Sequence, residues 1–446
     1  MTGSERIRNF LSANGSGLKA PWQLFWVALA VRLLYMTLAH TYHVKPLEDH
    51  FAFGFEAGRI ARALVTGFGY ADPFSNVYAT HTGPTAWLPP LYPLLMAAVF
   101  KLFGVYTDAS GWVLLAMNCV LSASTAMAVW ELGARFAGLK NARWAGWLWA
   151  LYPAAMQYAV RWFWEMTITT ALFAWVIVLA MRMRAEPGVR VWSRWAWFGL
   201  AWGLIALSNS TVLLFLPVCG IWIIARHNPV LHSPQPCRGE WVSRRKSLHG
   251  AALAGLIFVG CITPWTLRNQ RVFHQFIPMR GNFGAELYMG DGPGADGFLM
   301  EFDHPFQSRE QTYLYQQMGE VAYVKMRGTA AKAAIAADPA LFARNTLKRI
   351  DFFWSSVPHA QEKHPAVEWF RVVPFAFLSL CGLLGIGLAL SRRLPGEWLW
   401  AWAFVLLPLP YYIVTVHARF RHPLEPLICV LGVYLFQSAE SGNAGA

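Results

Sequence analysis

Charge is what this 446-residue sequence has least of: Asp, Glu, Lys and Arg together make up 14%, against roughly 25% in soluble domains. The deficit excludes a disordered chain and argues against a soluble enzyme of one to three domains. Cysteine is also sparse. The six residues form no C-x-x-C spacing, so neither a disulfide framework nor a zinc site is encoded. Cys119, Cys219, Cys261, Cys381 and Cys429 lie in apolar runs, and Cys237 lies in a basic loop. The sequence has no P-loop, no H-E-x-x-H and no G-x-S-x-G. Gly290-Asp291-Gly292-Pro293-Gly294 is too irregular for a dinucleotide fingerprint, and no Asp-x-Asp occurs. His43, His50 and His81 share a loop without metal-ligand spacing, so no metal site is expected. No internal repeat of the solenoid type is present.

Apolar residues are abundant, at 56% of the chain, and aromatics reach 15%, with 23 Trp and 30 Phe. Trp at that density suits the interface belts of a membrane protein, where one end of the ring is wet and the other apolar. The apolar runs are continuous rather than alternating, which excludes a β-barrel. The expected fold class is therefore an all-α polytopic membrane protein. A net charge of +13 does not indicate nucleic-acid binding, because no basic stripe interleaves with aromatics. It reads instead as the Lys and Arg excess of cytoplasmic loops.

Spans of about 20 apolar residues begin with Trp22 to His40, after the basic residues Arg6, Arg8 and Lys19. No small-residue cleavage site follows, so this run reads as a retained first span with the N-terminus inside. Further runs lie near 111–130, 144–160, 165–182, 195–226, 250–267, 372–390, 398–416 and 423–437. Arg135/Lys140/Arg143, Arg182 to Arg194, Arg226 to Lys246 and Arg392/Arg393 mark one side. Because 195–226 is flanked by two such loops, it must cross twice, with a break at Ser208-Asn209-Ser210-Thr211. The reading is about ten spans with both termini inside. Leu91 to Phe103 is too short to span and is expected to be an interfacial helix. The tail Glu440-Ser441-Gly442-Asn443-Ala444 is expected to fray.

Two long segments, 41–110 and 268–370, remain on the outer side. The spacing of Tyr313, Met318, Val321, Ala322 and Val324 predicts a small helical lobe in the second. Three units follow: a transmembrane catalytic module 1–267 that includes the outer loop 41–110, an outer helical segment 268–370, and C-terminal transmembrane helices 371–446.

Candidate chemistry sits at the outer edge. Glu48 and Asp49 follow the first span, and Glu56 lies two turns past Asp49 on the same face if 49–64 is helical. Phe51, Phe53 and Phe55 surround these carboxylates, an unusual setting for solvated loop charges. Arg161 and Glu165 flank Trp162-Phe163-Trp164 at another outer span end, where they serve either as functional groups or as a helix-end pair. Arg268 and Arg271, then Arg280, and later Arg419 and Arg421, stand on the side that normally avoids Arg. Either a bound anion, held through bidentate guanidinium bonds, or lipid headgroups would account for them.

Several stretches resemble the GT-C fold polytopic glycosyltransferases of family 39, the protein O-mannosyltransferase and aminoarabinose transferase type. They are Glu48-Asp49; Gly58-Arg59-Ile60-Ala61-Arg62 leading to Gly67-Phe68-Gly69-Tyr70; Trp87-Leu88-Pro89-Pro90-Leu91-Tyr92-Pro93 leading to Lys101-Leu102-Phe103-Gly104; Pro264-Trp265-Thr266-Leu267-Arg268-Asn269; and Asn282-Phe283-Gly284. The similarity runs from about 22 to 290, with a weaker echo at 417–426. It implies transfer of a sugar from a polyprenyl-phosphate donor to an acceptor hydroxyl at the outer membrane face, with inversion, without a metal and with no cofactor beyond the lipid-linked donor. The carry-over makes Asp49 the base, with Glu48 adjacent. The longer spacing to Ala61-Arg62 leaves Glu56 as an alternative. Glu165 takes the place of the second-loop acid. The phosphate binders would be Arg268 with Arg271, Arg161, Arg419 or Arg421, and Tyr92 would line the substrate site. The membrane would be an inner or plasma membrane with the site facing the periplasm or exterior. Membrane lipids and the lipid-linked sugar are the expected partners. Neither the sugar nor the acceptor (protein, lipid or polysaccharide) is legible. A transporter or flippase of lipid-linked sugars is the other class to weigh, but it favours inverted repeats and charges at mid-membrane, and neither is visible.

Overall fold

A computed structural model describes residues 19–186, 189–225, 238–298, 303–357 and 365–443. Arg6, Arg8 and the basic loop with Cys237 lie outside the described residues. Helices dominate, and the described residues contain one isolated antiparallel bridge, Ala71 to Pro84. In chain order the helices used below are α1 (Lys19–Leu38), α2 (Phe55–Val65), α3 (Leu91–Phe103), α4 (Asp108–Ala137), α5 (Leu139–Leu151), α6 (Pro153–Val160), α7 (Met166–Ala185), α8 (Val191–Ser208), α9 (Leu216–Ile224), α10 (Arg238–Phe273), α11 (Phe283–Asp291), α12 (Arg309–Met318), α13 (Glu320–Ala337), α14 (Pro339–Ser355), α15 (Pro365–Ser391), α16 (Glu397–Leu406), α17 (Leu409–Ile413) and α18 (Glu425–Asn443).

Five of these contain stretches long and apolar enough to cross a bilayer: Ala20–Leu38, Asp108–Ala137, Met166–Ala185, Lys246–Phe273 and Glu368–Ser391. The chain is an integral membrane protein. Reaching the expected ten crossings requires counting the shorter or interrupted pieces as well, among them α5 with α6, broken at Pro153, and α16 with α17. In a bilayer such breaks are tolerated where neighbouring protein satisfies the freed backbone groups. Arg32 does this for α5, its guanidinium donating to the carbonyls of Trp149 (3.2 Å) and Ala150 (2.8 Å).

The charges sort to two ends. Glu131 at the end of α4 accepts from Arg135 (2.8 Å) and from Arg182 of α7 (2.6 Å). Glu186 accepts from Arg194 of α8 (2.6 Å), and Lys140 pairs with Glu440 (2.6 Å). The positive-inside reading of the sequence assigns this Arg-rich end to the inner side. At the other end His43 after α1 meets Asp108 at the start of α4 (2.8 Å). The tail does not fray from Glu440. α18 stays helical to Asn443, with Glu440 paired to Lys140.

The run 195–226 breaks where expected. Asn209 is extended, and its Oδ1 accepts from the Thr211 amide (3.2 Å) and hydroxyl (2.6 Å). A 3-10 turn, Ser210–Phe215, opens the second leg. The legs part beyond it. Arg184 at the inner end of α7 donates to the Trp222 carbonyl and covers its ring, while α8 packs on α10. Gly199 and Gly203 permit that approach: a Cβ at Gly199 would collide with the Ala254 backbone, and one at Gly203 would lie 2.6 Å from Cys261 Cβ. Small residues are the usual means of bringing two membrane helices together.

The outer segments fold onto each other. Phe74 and Trp87 from the first share a small apolar core with Ala285, Met289, Phe306, Tyr315 and Tyr323 from the second. The helical lobe read from 306–350 is present as α12 to α14. One expectation fails: 49–64 is not a continuous helix. Glu48, Asp49 and His50 take left-handed backbone angles (φ 50°, 53° and 60°), Gly54 and Phe55 do so again, and α2 begins only at Phe55. Asp49 and Glu56 therefore do not share a helix face.

Replacing Gly199 by Leu should separate α8 from α10 at a cost of about 1–3 kcal/mol. This is to be read as a lowered unfolding midpoint of the detergent-solubilised protein, with Gly220→Leu, where a Cβ meets nothing within 4 Å, as the neutral control.

Candidate active site

Two arginines one turn apart on α2 organise the outer loop. Arg59 is fully buried. It donates to the carbonyls of Glu48 (2.7 Å), Asp49 (3.1 Å) and Ser75 (2.6 Å). Its cation lies over the rings of Phe51 (4.8 Å) and Phe306 (4.3 Å), which stack on each other. Burial lowers its pKa to about 10, with Tyr106 and Asp49 acting in the opposite direction, so it stays charged at neutral pH. Arg62 grips Asp49 through both carboxylate oxygens (3.0 and 2.8 Å) and donates to Ser75 Oγ (2.8 Å). The left-handed turn thus exists because a buried cation collects its carbonyls, which offsets strain that three consecutive non-glycine residues would otherwise not sustain.

Glu56, in the first turn of α2, faces elsewhere. One oxygen accepts from His304 Nε2 (3.1 Å), and the two side chains are 18% and 12% exposed. The Phe306 amide donates to His304 Nδ1 (3.2 Å), which leaves Nε2–H as the donor toward Glu56. Burial pushes the Glu56 carboxyl up. The His304 hydrogen bond, with Arg419 adding to it, more than reverses this and holds it below the ordinary glutamate value. Arg419 lies over Trp164 (4.3 Å), which stacks on Trp162 and lies 5.4 Å from Phe55. The Arg419 guanidinium has no hydrogen bond among the described residues. Glu165 follows Trp164 and lies within electrostatic reach of Tyr92 and Tyr411, and Tyr411 is within reach of Arg280. Glu56 with His304, Glu165 and the Arg419 guanidinium thus cluster about the stacked Trp162 and Trp164 rings.

An apolar groove of 450 Å³ runs between Leu213, Leu214 and Pro217 on one side and Pro278 and Met279 on the other, with Arg280 bordering it. Arg280 is held by Asn282 (3.0 Å) and Glu286 (3.3 Å).

The remaining sequence candidates are scattered. Glu48 is exposed, its carbonyl rather than its carboxylate being in use. Arg268 donates to the carbonyls of Thr85 (2.6 Å) and Tyr70 (2.7 Å) and to Asn269 (3.0 Å), so its fork is taken up by the chain itself. It meets the same 70–85 loop that Arg62 reaches at Ser75, but it does not contact Asp49. Arg271 is exposed, and Arg161 is exposed over Trp162. Arg421 is buried with Glu425 (2.7 Å) and the Phe375 carbonyl (2.9 Å), inside the bundle. Tyr92 is buried below Glu165. Sequence reasoning did not find His304 as a partner of Glu56, because nothing local marks a residue that meets another 248 positions away. Among the described residues no three His, Cys, Asp or Glu side chains converge in a way that could hold a metal ion.

Glu320 clamps the loop from the opposite side. Its carboxylate accepts from the Ala86 amide (2.7 Å), from Tyr315 (2.7 Å) and from Thr85 Oγ1. Burial raises its pKa, and these donors oppose the rise. Glu320→Ala leaves buried donors unpaired at about 1–3 kcal/mol. We expect the exposed stretch around Val77 and Tyr78 to be cut faster in limited proteolysis than in the wild type.

No family model matches the chain, and no curated protein matches it. Solved structures do. The oligosaccharyltransferase AglB of Archaeoglobus fulgidus, in complex with an inhibitory peptide and a dolichol-phosphate, superposes with a TM-score of 0.52 at 12% identity, over 96% of this chain and 51% of that one. An Archaeoglobus fulgidus oligosaccharyltransferase in its apo form gives 0.53 at 13%, over 95% and 50%. ArnT of Cupriavidus metallidurans bound to undecaprenyl phosphate gives 0.37 at 14%, over 96% and 79%. The chain spans about half the length of AglB. Identity this low speaks to architecture and not to chemistry: this chain has the GT-C fold, the polytopic helical architecture of the archaeal oligosaccharyltransferase.

Proposed function

We propose that this protein is a membrane glycosyltransferase that moves a sugar from a polyprenyl-phosphate donor to an acceptor hydroxyl at the outer face of an inner or plasma membrane. The observation that carries the reading is the grouping of Glu56 with His304, Glu165 and the unpaired Arg419 around the Trp162–Trp164 wall, at the end of the bundle opposite the Arg-rich one. The AglB structure named above holds a dolichol-phosphate, which supports a lipid-phosphate donor here.

In this mechanism the prenyl tail lies along the groove at Leu213, Leu214 and Pro217, and the phosphate sits between Arg280 and Arg419. Guanidinium forks neutralise the departing lipid phosphate without a metal ion. Glu56, held anionic and oriented by His304, takes the proton of the acceptor hydroxyl as that oxygen attacks the anomeric carbon. The bond to the phosphate oxygen breaks on the opposite face, so the configuration inverts and no enzyme nucleophile is required. Glu165 is placed to position the sugar hydroxyls. Asp49 is a less suitable base, because both its oxygens are held by Arg62.

Purified protein with a synthetic polyprenyl-phosphate sugar should give a product of inverted anomeric configuration, and the rate should survive chelation of divalent metals. Glu56→Gln should lose at least about 10²-fold in rate, and Arg419→Ala should raise the donor concentration needed for half-maximal rate. Because the folded Glu56 pKa is lowered, its base form persists on acidification. The acid limb of the rate profile should therefore fall below about pH 4.3, the ordinary glutamate value. Full turnover by Glu56→Gln, or movement of the donor lipid across vesicles without transfer, would end this reading.

A further inference from the structure

A second cavity lies on the same outer face, further along α2, and the mechanism above does not use it. It measures 650 Å³, within the roughly 300–1,000 Å³ range of small-molecule sites. Asp49, Arg62, Phe68, Asp72, Ser75 and His81 are among its lining residues. Two observations mark it as built for a ligand. Its wall contains the left-handed residues Asp49, His50 and Asp72 (φ 53°, 60° and 62°), and strain of this kind collects at ligand clamps. Phe68 is 56% exposed, with its ring against His81 (4.1 Å).

The chemistry of the lining selects the ligand class. Each carboxylate is already matched: Asp49 by Arg62, Asp72 by His81 (2.9 Å) and the amides of Thr82 and Gly83. An isolated phosphate would meet two carboxylates and no free fork, and a basic ligand would meet two arginines. What the cavity offers is planar, charge-balanced hydrogen bonding, since each Asp49 oxygen has lone pairs left beside its Arg62 bond. It adds the Ser75 hydroxyl and an exposed aromatic face at the rim. That combination suits a neutral ring bearing several hydroxyls.

We propose that this cavity binds a sugar unit, and that the unit belongs to the acceptor. The second half rests on the transferase reading. Arg62 is six residues past Glu56, about 9 Å along the helix axis. The two positions are also about a third of a turn apart around the helix, so a chain of linked sugars that seats one unit in the cavity bends around α2 to present the hydroxyl of another to Glu56. The acceptor class is then a glycan or glycolipid, not a bare polypeptide.

The test is saturation-transfer NMR on the full-length protein in detergent. The probes are the methyl glycosides of glucose, galactose, mannose and N-acetylglucosamine, with inorganic phosphate and an acidic peptide as competitors. Ring-proton transfer is expected from at least one glycoside. It should fall at least tenfold in Phe68→Ala and in Thr66→Trp, which fills the cavity, and persist in Glu56→Gln. Unfolding midpoints equal to wild type would show that both cavity variants fold. No glycoside signal, a signal that survives both cavity variants, or displacement by phosphate or the peptide would overturn the proposal. A sugar bound here in a protein that transfers nothing would leave the site standing and remove the transferase reading instead.

Discussion

A single buried guanidinium sets the geometry of the outer face. Among the described residues Arg59 has no carboxylate partner. It gathers three carbonyls from two separate stretches, 48–49 and 75, and is covered by two stacked phenylalanines. Inside a low-dielectric environment that arrangement is stable only if each element stays where it is, because every released carbonyl would be an unsatisfied buried acceptor. The turn after α1 is consequently forced into left-handed angles. The start of α2 is fixed, and with it the direction of Glu56. Phe306, one of the covering rings, brings His304 within reach of the same helix. The carboxylate, its histidine and the loop cavity all follow from one cation.

Charge is distributed across the molecule by two different rules. At the inner end the arginines pair with Glu131 and Glu186, and they read as topology. At the outer end four arginines behave unlike one another. Arg268 is taken up by loop carbonyls, Arg421 by an ion pair inside the bundle, Arg280 by Glu286 and Asn282, and Arg419 by aromatic rings alone. Of these four, Arg280 borders the apolar groove and Arg419 lies against the Trp164 ring. An argument from the mere presence of outside arginines therefore identifies the right end of the molecule without identifying the right residue.

The membrane class, the break at 208–211, the helical lobe after 306 and the Arg-rich side were all legible in the sequence, because each depends on composition or spacing within one short stretch. The interruption of 49–64 was not, since the pattern of Phe51, Phe53 and Phe55 carries no sign of the left-handed turn that Arg59 imposes. Nor was the helical tail to Asn443.

By itself the sequence determined that the chain enters a membrane, which face carries the cations, and that acidic and basic residues meet at the far edge. Hydrophobic transfer and the positive-inside bias act on each segment separately, so these features need no partner. The tertiary structure alone decided which charge meets which. Glu56 with His304, Glu320 with Thr85 and Arg268 with Tyr70 join positions far apart in the chain. Such pairings arise only when packing removes water and leaves each buried polar group with whatever partner the fold places beside it.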